Sequence, residues 1–293
     1  MSPEDYFDGV SSLITRKVDT FNTGVDSFEV GIYRRIVGVL KDLELNLDGT
    51  IKTSQINLRL LRRLRGDIEG IVINRTYIAK LDTFLGGFDQ LKNINDRYLK
   101  TIASTQIPSK QLYKTLTNVS IEITKNSLLE SGINQNLIDP IEKILIQNVS
   151  TGGNYNDLLE SLKLDIMGSP ERLGRFQRYT KQITTDSLNQ FNANYNEVVS
   201  GDIGLEFYLY AGAIKTTTRS YCRTRAGKYY HVKEIKKEIP ASWSGKIPDT
   251  NANNILIYRG GFNCGHLYTA VSALLVPENV KVRAEAKGYY KSI

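Results

Sequence analysis

The chain has 293 residues, of which 41% are hydrophobic and 24% are charged, and its formal net charge is +7. A chain of this length can bury one core and has enough apolar residues for two. It contains no run of 18 apolar residues, and its first five residues include two acidic and no basic ones, so we expect neither a membrane-spanning helix nor a signal peptide. Two cysteines indicate synthesis in a reducing cytoplasm.

The first part of the chain has the apolar spacing of amphipathic helices. Over residues 4–45, apolar side chains recur every three or four positions and so share one helix face. Three internal glycines weaken this helix, and the segment is expected to form either one long helix or two shorter ones. A turn over residues 46–50 is followed by a helix for which Thr53 or Ser54 can serve as the cap.

Helical signals continue to about residue 200, with a break predicted at Gly86-Gly87. Long amphipathic helices with balanced charge are typical of packing and assembly, so residues 1–201 are interpreted as a helical assembly region. The further helices are predicted from Pro108-Ser109 to Ser131-Gly132, from Asp139-Pro140 to residues 150–153, over residues 155–167, and from Ser169-Pro170-Glu171 to Ser200.

The pattern changes at residue 202. Residues 205–210, 229–232 and 255–258 predict strands, and residues 266–275 predict a strand or a short helix. The fold class expected is therefore α+β, with a long-helix N-terminal region followed by a small α+β domain over residues 202–293. So small a domain has little core of its own, and a metal ion or a cross-link would stabilise it.

All cysteine and histidine residues of the chain lie within this domain, at Cys222, His231, Cys264 and His266. Two thiols and two imidazoles are the ligands of a Cys₂His₂ zinc site, although their spacing is not that of a zinc finger. A disulfide or a close thiol pair between Cys222 and Cys264, with His266 in a packed turn, is an alternative. A catalytic Cys–His pair is a third reading, but nothing in the sequence marks a reactive thiolate.

The net charge is also confined to this domain. Residues 202–293 contain 14 basic and 7 acidic residues, whereas the first 201 residues contain 24 of each. An excess of positive charge is typical of proteins that bind nucleic acid or an acidic partner, but a basic domain without such a partner is equally consistent. The candidate DNA-binding residues, which flank the cysteines, are Arg219, Arg223, Arg225, Lys228 and Arg259.

The order of these residues resembles the C-terminal domain of the phage Mu F-like minor head proteins, also called head morphogenesis proteins. The resemblance spans residues 175–276 and departs from the family pattern at Gly265, where the family has arginine; His231 has no counterpart in the motif. The segments that carry it are Thr218-Arg219-Ser220-Tyr221-Cys222-Arg223, Gly227-Lys228-Tyr229, Glu234-Ile235, Trp243-Ser244-Gly245-Lys246 and Tyr258-Arg259-Gly260-Gly261-Phe262-Asn263-Cys264-Gly265-His266.

The resemblance implies a minor head protein of a tailed phage, made in the host cytoplasm and located inside the virion near the portal. The helical region would bind portal or capsid protein, and the basic domain would fold around the Cys/His residues, with zinc as a candidate metal, and contact packaged double-stranded DNA. No enzymatic activity is expected. Two alternatives stay open: a small nuclease or toxin-like domain on a helical carrier, and a structural virion protein without DNA contact.

Overall fold

The computed structural model describes residues 1–103, 107–108 and 110–291, without the side chains of residues 26 and 130. Helices dominate the first two thirds of the chain. They are α1 (Pro3–Asn22), α2 (Asp26–Leu40), α3 (Gln55–Val72), α4 (Arg75–Ala103), α5 (Gln111–Leu128), α6 (Glu130–Ile133), a π-helical turn (Asn134–Ile138), α7 (Asp139–Thr151), α8 (Tyr155–Met167), a hairpin of β1 (Gly168–Ser169) and β2 (Arg172–Leu173), and α9 (Arg175–Asp202).

The last third combines short helices with a three-stranded antiparallel sheet, which confirms the α+β class. The strand order is β4-β3-β5, so β3 is the central strand. The elements are β3 (Phe207–Ala211), α10 (Ser220–Arg223), β4 (Tyr229–His231), α11 (Val232–Lys237), α12 (Ile255–Tyr258), β5 (Leu267–Val271), a 3₁₀ turn (Ala273–Leu275) and α13 (Glu278–Ala286).

Local signals fixed several boundaries correctly. The first apolar segment forms two helices separated by a turn around Gly24, and Ser54 caps α3 by accepting a hydrogen bond from the Asn57 backbone N–H at 3.2 Å. Gly152 ends α7 with a left-handed backbone (φ 66°), as a C-terminal glycine commonly does. Helix α5 begins at Gln111; of the predicted start at Pro108-Ser109, Ser109 lies outside the described residues.

Three predictions were wrong. Helix α4 continues through Gly86-Gly87, because its buried neighbours Phe84 and Phe88 offset a glycine cost of about 1 kcal/mol per residue. The segment beginning at Ser169 forms the β1–β2 hairpin, and α9 starts only at Arg175. Residues 255–258 form the helical turn α12 and not a strand; a short apolar run does not distinguish the two.

The chain divides into two compact units that do not follow the predicted boundary at residue 201. The first unit contains residues 1–16, 86–121 and 185–293, and the second contains residues 17–85 and 122–184. The second unit is helical apart from the β1–β2 hairpin, and its core includes the aromatic contacts of Tyr77 with Phe21, Phe28 and Phe176. Residues 202–293 therefore belong to a unit that includes parts of four helices from the preceding chain, α1, α4, α5 and α9.

In the first unit, the two faces of β3 have different neighbours because side chains alternate along a strand. Phe207, Leu209 and Ala211 pack with Val271 and with helix α13 in one hydrophobic cluster. Tyr208 and Tyr210 lie on the opposite face, where the Tyr208 hydroxyl is 2.7 Å from the Ser200 hydroxyl of α9. The face of β3 that carries Tyr208 and Tyr210 positions the candidate site.

A buried polar network joins α1, α4, α9 and β5 within the same unit. The Tyr6 hydroxyl donates to Asn95 Oδ1 at 2.8 Å, and the Asn95 amide donates to Asn192 Oδ1 at 2.8 Å. Asn196 accepts from the Ala270 backbone N–H at 3.2 Å. Buried amides with satisfied hydrogen bonds hold these elements in one register.

Candidate metal centre

Two segments of the first unit bring Cys222, Cys264 and His266 together. Cys222 lies in helix α10, while Cys264 and His266 lie in the turn that leads into β5. Their ligand atoms all lie within 4.8 Å of one another, and all three residues are buried. These three side chains can hold a metal ion.

The distances within the cluster suit a tetrahedral site. The two Sγ atoms are 3.6 Å apart, and Cys264 Sγ is 4.0 Å from His266 Nδ1. Zinc bonds of about 2.3 Å to sulfur and 2.0 Å to nitrogen give tetrahedral edges of about 3.8 Å between sulfurs and 3.6 Å between sulfur and nitrogen. Nδ1 is therefore the nitrogen of His266 that faces the sulfurs, while its Nε2 is buried without a hydrogen-bond partner in the described part of the chain.

Tyr210 is a fourth member of the cluster that sequence reasoning missed. Its hydroxyl oxygen lies 3.3 Å from Cys222 Sγ and 3.7 Å from Cys264 Sγ, and its ring stacks on His266. Burial raises the pKa of this phenol well above its ordinary value, so the hydroxyl stays protonated and can donate to a thiolate. Alternation along β3 was the available signal, since it places Tyr208 and Tyr210 on one face.

The pKa values of the two thiols depend on each other. The hydrogen bond from Cys222 lowers the pKa of Cys264 against the opposing effect of burial, and His266 and the positive charge of Arg259 lower it further. The same hydrogen bond, together with burial, raises the pKa of Cys222. One thiolate beside one thiol is therefore the favoured metal-free state, and it already presents one charged sulfur to a cation.

The backbone around Gly260 closes the cluster on one side. A Cβ atom at this position would lie 2.3 Å from Cys222 Sγ and 2.8 Å from Cys264 Sγ, so only glycine fits. The Gly260 carbonyl accepts hydrogen bonds from Trp243 Nε1 at 3.0 Å and from the Arg219 guanidinium at 3.3 Å. Arg219 also donates to the Phe262 carbonyl at 2.6 Å, which fixes the turn that carries Cys264.

The predicted four-ligand set is corrected, because His231 lies apart from the cluster. It pairs with Phe207 across the sheet, three residues along β3 from Tyr210 and on the other face. Its ring packs edge-on against Phe207, its Nδ1 accepts from the Lys233 backbone N–H at 3.2 Å, and it serves as the N-cap of α11. The register of the strands, which sequence spacing does not reveal, separates it from the other three.

Most of the predicted DNA-binding residues are committed to the protein itself. Arg223 donates to three backbone carbonyls of the preceding loop, and Arg225 lies 3.8 Å above the Tyr221 ring. Arg259 is 3% exposed and donates to Asn189 Oδ1 at 3.2 Å, while Arg219 holds the turn described above. Among the five, Lys228 is exposed, and its side chain makes no hydrogen bond or ion pair within the described residues.

Comparisons with protein-family models, with curated proteins and with solved structures find no match in any of the three. The described residues contain no helix that is long and apolar enough to cross a membrane. The likeness to the Mu F-like proteins therefore rests on the motif residues themselves and on whether these residues contact one another in the fold.

Proposed function

We propose that this chain is a minor head protein of a tailed phage, held inside the virion by portal or capsid protein and lying against packaged DNA. The observation that carries the proposal is the convergence of the motif residues. Arg219 and Trp243 both bind the Gly260 carbonyl, and Gly260 packs against the sulfurs of Cys222 and Cys264. Residues that carry the resemblance thus depend on one another, as members of one structural motif do.

The same geometry favours a structural role over catalysis. Cys264 is 6% exposed and His266 is 5% exposed, so neither presents a nucleophile or a base to a substrate in solution. The arginines beside the cluster contact carbonyls and rings of the protein. A cluster of this kind holds a fold together, which suits a protein whose task is assembly.

Virion association is the direct test of the proposal. Particles from cells that encode this chain are purified on a density gradient and analysed by quantitative mass spectrometry. We expect the chain in the particle fraction at a low copy number relative to the major capsid protein, and in complexes with portal or capsid protein after cross-linking. Recovery of the chain only outside particles would reject the head-protein function.

Within this function, we propose zinc as the ion that Cys222, Cys264 and His266 hold. Zinc favours thiolate and imidazole ligands in tetrahedral arrangement, and the small domain gains stability from a metal cross-link. The Tyr210 hydroxyl contacts both sulfurs on the remaining side of the cluster. Bound zinc would supply structural cross-linking of α10 to the turn before β5.

Metal analysis of the full chain tests this assignment. We expect about one equivalent of zinc after purification without chelators, and its loss together with a lower unfolding temperature in Cys264→Ser. The matched control is Ser220→Ala, an exposed position two residues from Cys222. A chain that lacks zinc, fails to take it up from added salt and yet folds with both thiols reduced would reject the assignment.

A further inference from the structure

The first unit carries a polar groove that the sequence did not indicate. It consists of two adjoining depressions with volumes of about 710 and 400 Å³, which share Asp96 and Arg97 as lining residues. The first lies along α1 and α4, and the second lies among α4, the start of α5 and α9. Both are open to solvent over their length, as a surface for an extended ligand would be.

Positive charge dominates this groove. Among the described residues that line it, Asp96 is the sole acidic side chain. Its carboxylate is already engaged by Lys92 at 2.5 Å and by the Tyr195 hydroxyl at 2.7 Å. The cationic lining residues, named the basic groove from here on, are Arg16, Lys92, Arg97, Lys100, Lys110 and Lys114.

Most of these cations are free to bind an anion. Lys110 pairs with Asp202 at 2.8 Å, and Arg97 donates only to the Asn93 carbonyl of its own helix. Arg16, Lys100 and Lys114 are exposed and have no acidic partner within the described part of the chain. Several like charges gathered on a concave surface raise the local concentration of anions.

We propose that the basic groove binds the phosphodiester backbone of duplex DNA. Lys92 and Lys100 are eight residues apart on α4, which corresponds to about 12 Å along the helix axis. At about 3.4 Å of duplex axis per phosphate of one strand, this distance covers three to four phosphates of a duplex whose axis runs along α4. The tyrosines of the groove, Tyr113 and Tyr195, are buried and cannot stack on bases, so recognition is through phosphates and without sequence preference.

This inference rests on the proposed head function for the identity of the polyanion, and it moves the DNA contact from the C-terminal arginines to the helices. The balanced charge of residues 1–201 led to the opposite expectation. An average over 201 residues conceals the groove, because Asp96 is the sole acidic residue among its described lining residues and is already engaged by Lys92 and Tyr195.

The experiment measures fluorescence anisotropy of a labelled duplex with the full chain across a salt series. The groove variant is Arg97→Glu/Lys100→Glu/Lys114→Glu. The control variant, Lys215→Glu/Lys228→Glu/Lys291→Glu, makes the same change in net charge at exposed positions of the C-terminal region. The slope of log K against log salt is negative. We expect its magnitude to decrease by about 2 to 3 in the groove variant and by less than 1 in the control.

The outcomes separate clearly. Equal decreases of the salt-dependence slope in the two variants would indicate a general effect of net charge and would overturn the groove proposal. A groove variant with the wild-type slope would also overturn it, and so would a wild-type chain that does not bind DNA at low salt. Tighter binding of polyglutamate than of DNA would also reject it. If the groove variant unfolds in circular dichroism, the corresponding triple glutamine variant replaces it. If the chain associates with particles but its groove does not bind DNA, the groove proposal is rejected and the head-protein function is retained.

Discussion

Gly260 is the residue on which the packing of the cluster depends most directly. A methyl group at this position would overlap both sulfur atoms, so the two cysteine side chains would have to move apart. We expect Gly260→Ala to lower the free energy of unfolding by about 1–3 kcal/mol and to weaken metal binding. Chemical denaturation and metal titration of the full chain measure both effects.

Gly265 provides the matched control for this substitution. It lies in the same turn, and a Cβ atom there would meet no atom within 4 Å. Gly265→Ala should therefore change stability by less than about 0.5 kcal/mol. Similar stabilities for the two alanine variants would show that contact with the sulfurs does not constrain position 260.

His231 gives the protein a stability that depends on pH. Burial lowers the pKa of its imidazole, although Glu206, 3.8 Å away, opposes this shift and Lys233 adds to it. The unfolded chain therefore binds a proton more readily than the folded chain. The contribution of His231 is complete above its ordinary pKa of about 6.5 and is lost as the pH falls toward the lowered folded value.

We expect the wild-type chain to lose stability between about pH 7 and pH 5 more steeply than His231→Asn. Asparagine is chosen because it retains an acceptor for the N-cap of α11 but does not titrate. Denaturation curves at matched pH values give the free energy of unfolding of each chain. The difference between the two free energies cancels the contribution of the carboxylates that both chains contain. Parallel pH profiles would contradict a buried neutral histidine.

Ion pairs join helix α11 to helix α13. Glu234 is 3% exposed, caps α11 through the His231 backbone N–H, and binds Arg283 at 2.8 Å and Lys287 at 3.2 Å. Glu238 also binds Lys287, at 2.5 Å, but its side chain is 50% exposed. One cation is thus shared by a buried and an exposed carboxylate on the same helical segment.

We expect Glu234→Gln to cost about 1–2 kcal/mol of stability, because the buried carboxylate loses two charge-assisted bonds while the part-exposed Arg283 and Lys287 regain water. Glu238→Gln should cost less than about 1 kcal/mol, since exposed ion pairs contribute little. Urea denaturation of the two variants makes the comparison at equal change of charge. Equal costs would mean that burial of Glu234 adds nothing to the link between α11 and α13.

The elements that sequence reasoning identified correctly are those with local determinants. Ser54 and Gly152 mark helix ends through their own hydrogen bonds or backbone conformation, and α8 follows its apolar period. The failures at Gly86-Gly87 and at residues 255–258 have one cause. In each case the decisive interaction lies outside the segment, either in buried neighbours or in the packing around an apolar run.

At the scale of the whole molecule, residues 202–293 depend on earlier helices of their own unit. The Tyr98 hydroxyl of α4 donates to the Ala270 carbonyl of β5 at 2.6 Å, and Asn196 of α9 binds the Ala270 N–H. Lys236 pairs with Glu197 at 2.7 Å. Removal of these helices would break the three contacts and leave the buried Tyr208 hydroxyl without its Ser200 partner.

We therefore expect an isolated fragment of residues 202–293 to be unfolded or molten, with rapid cleavage by trypsin and no cooperative thermal transition. Addition of a second chain covering residues 75–121 to a fragment of residues 175–293 should restore protection, because it supplies α4. A compact, protease-resistant fragment 202–293 with a cooperative transition would show instead that the boundary predicted at residue 201 is a folding boundary.

The sequence by itself determined the α+β class and the mainly helical character of the first 201 residues, and its motif resemblance named Cys222, Cys264 and His266 among the candidate ligands of one site. These follow from composition, apolar period and motif order, which are properties of neighbouring residues. The tertiary structure alone decided that His231 lies outside the cluster, that Tyr210 lies within it, and that six cations meet in one groove. Strand register and helix packing place residues distant in sequence side by side, and no local pattern encodes those distances.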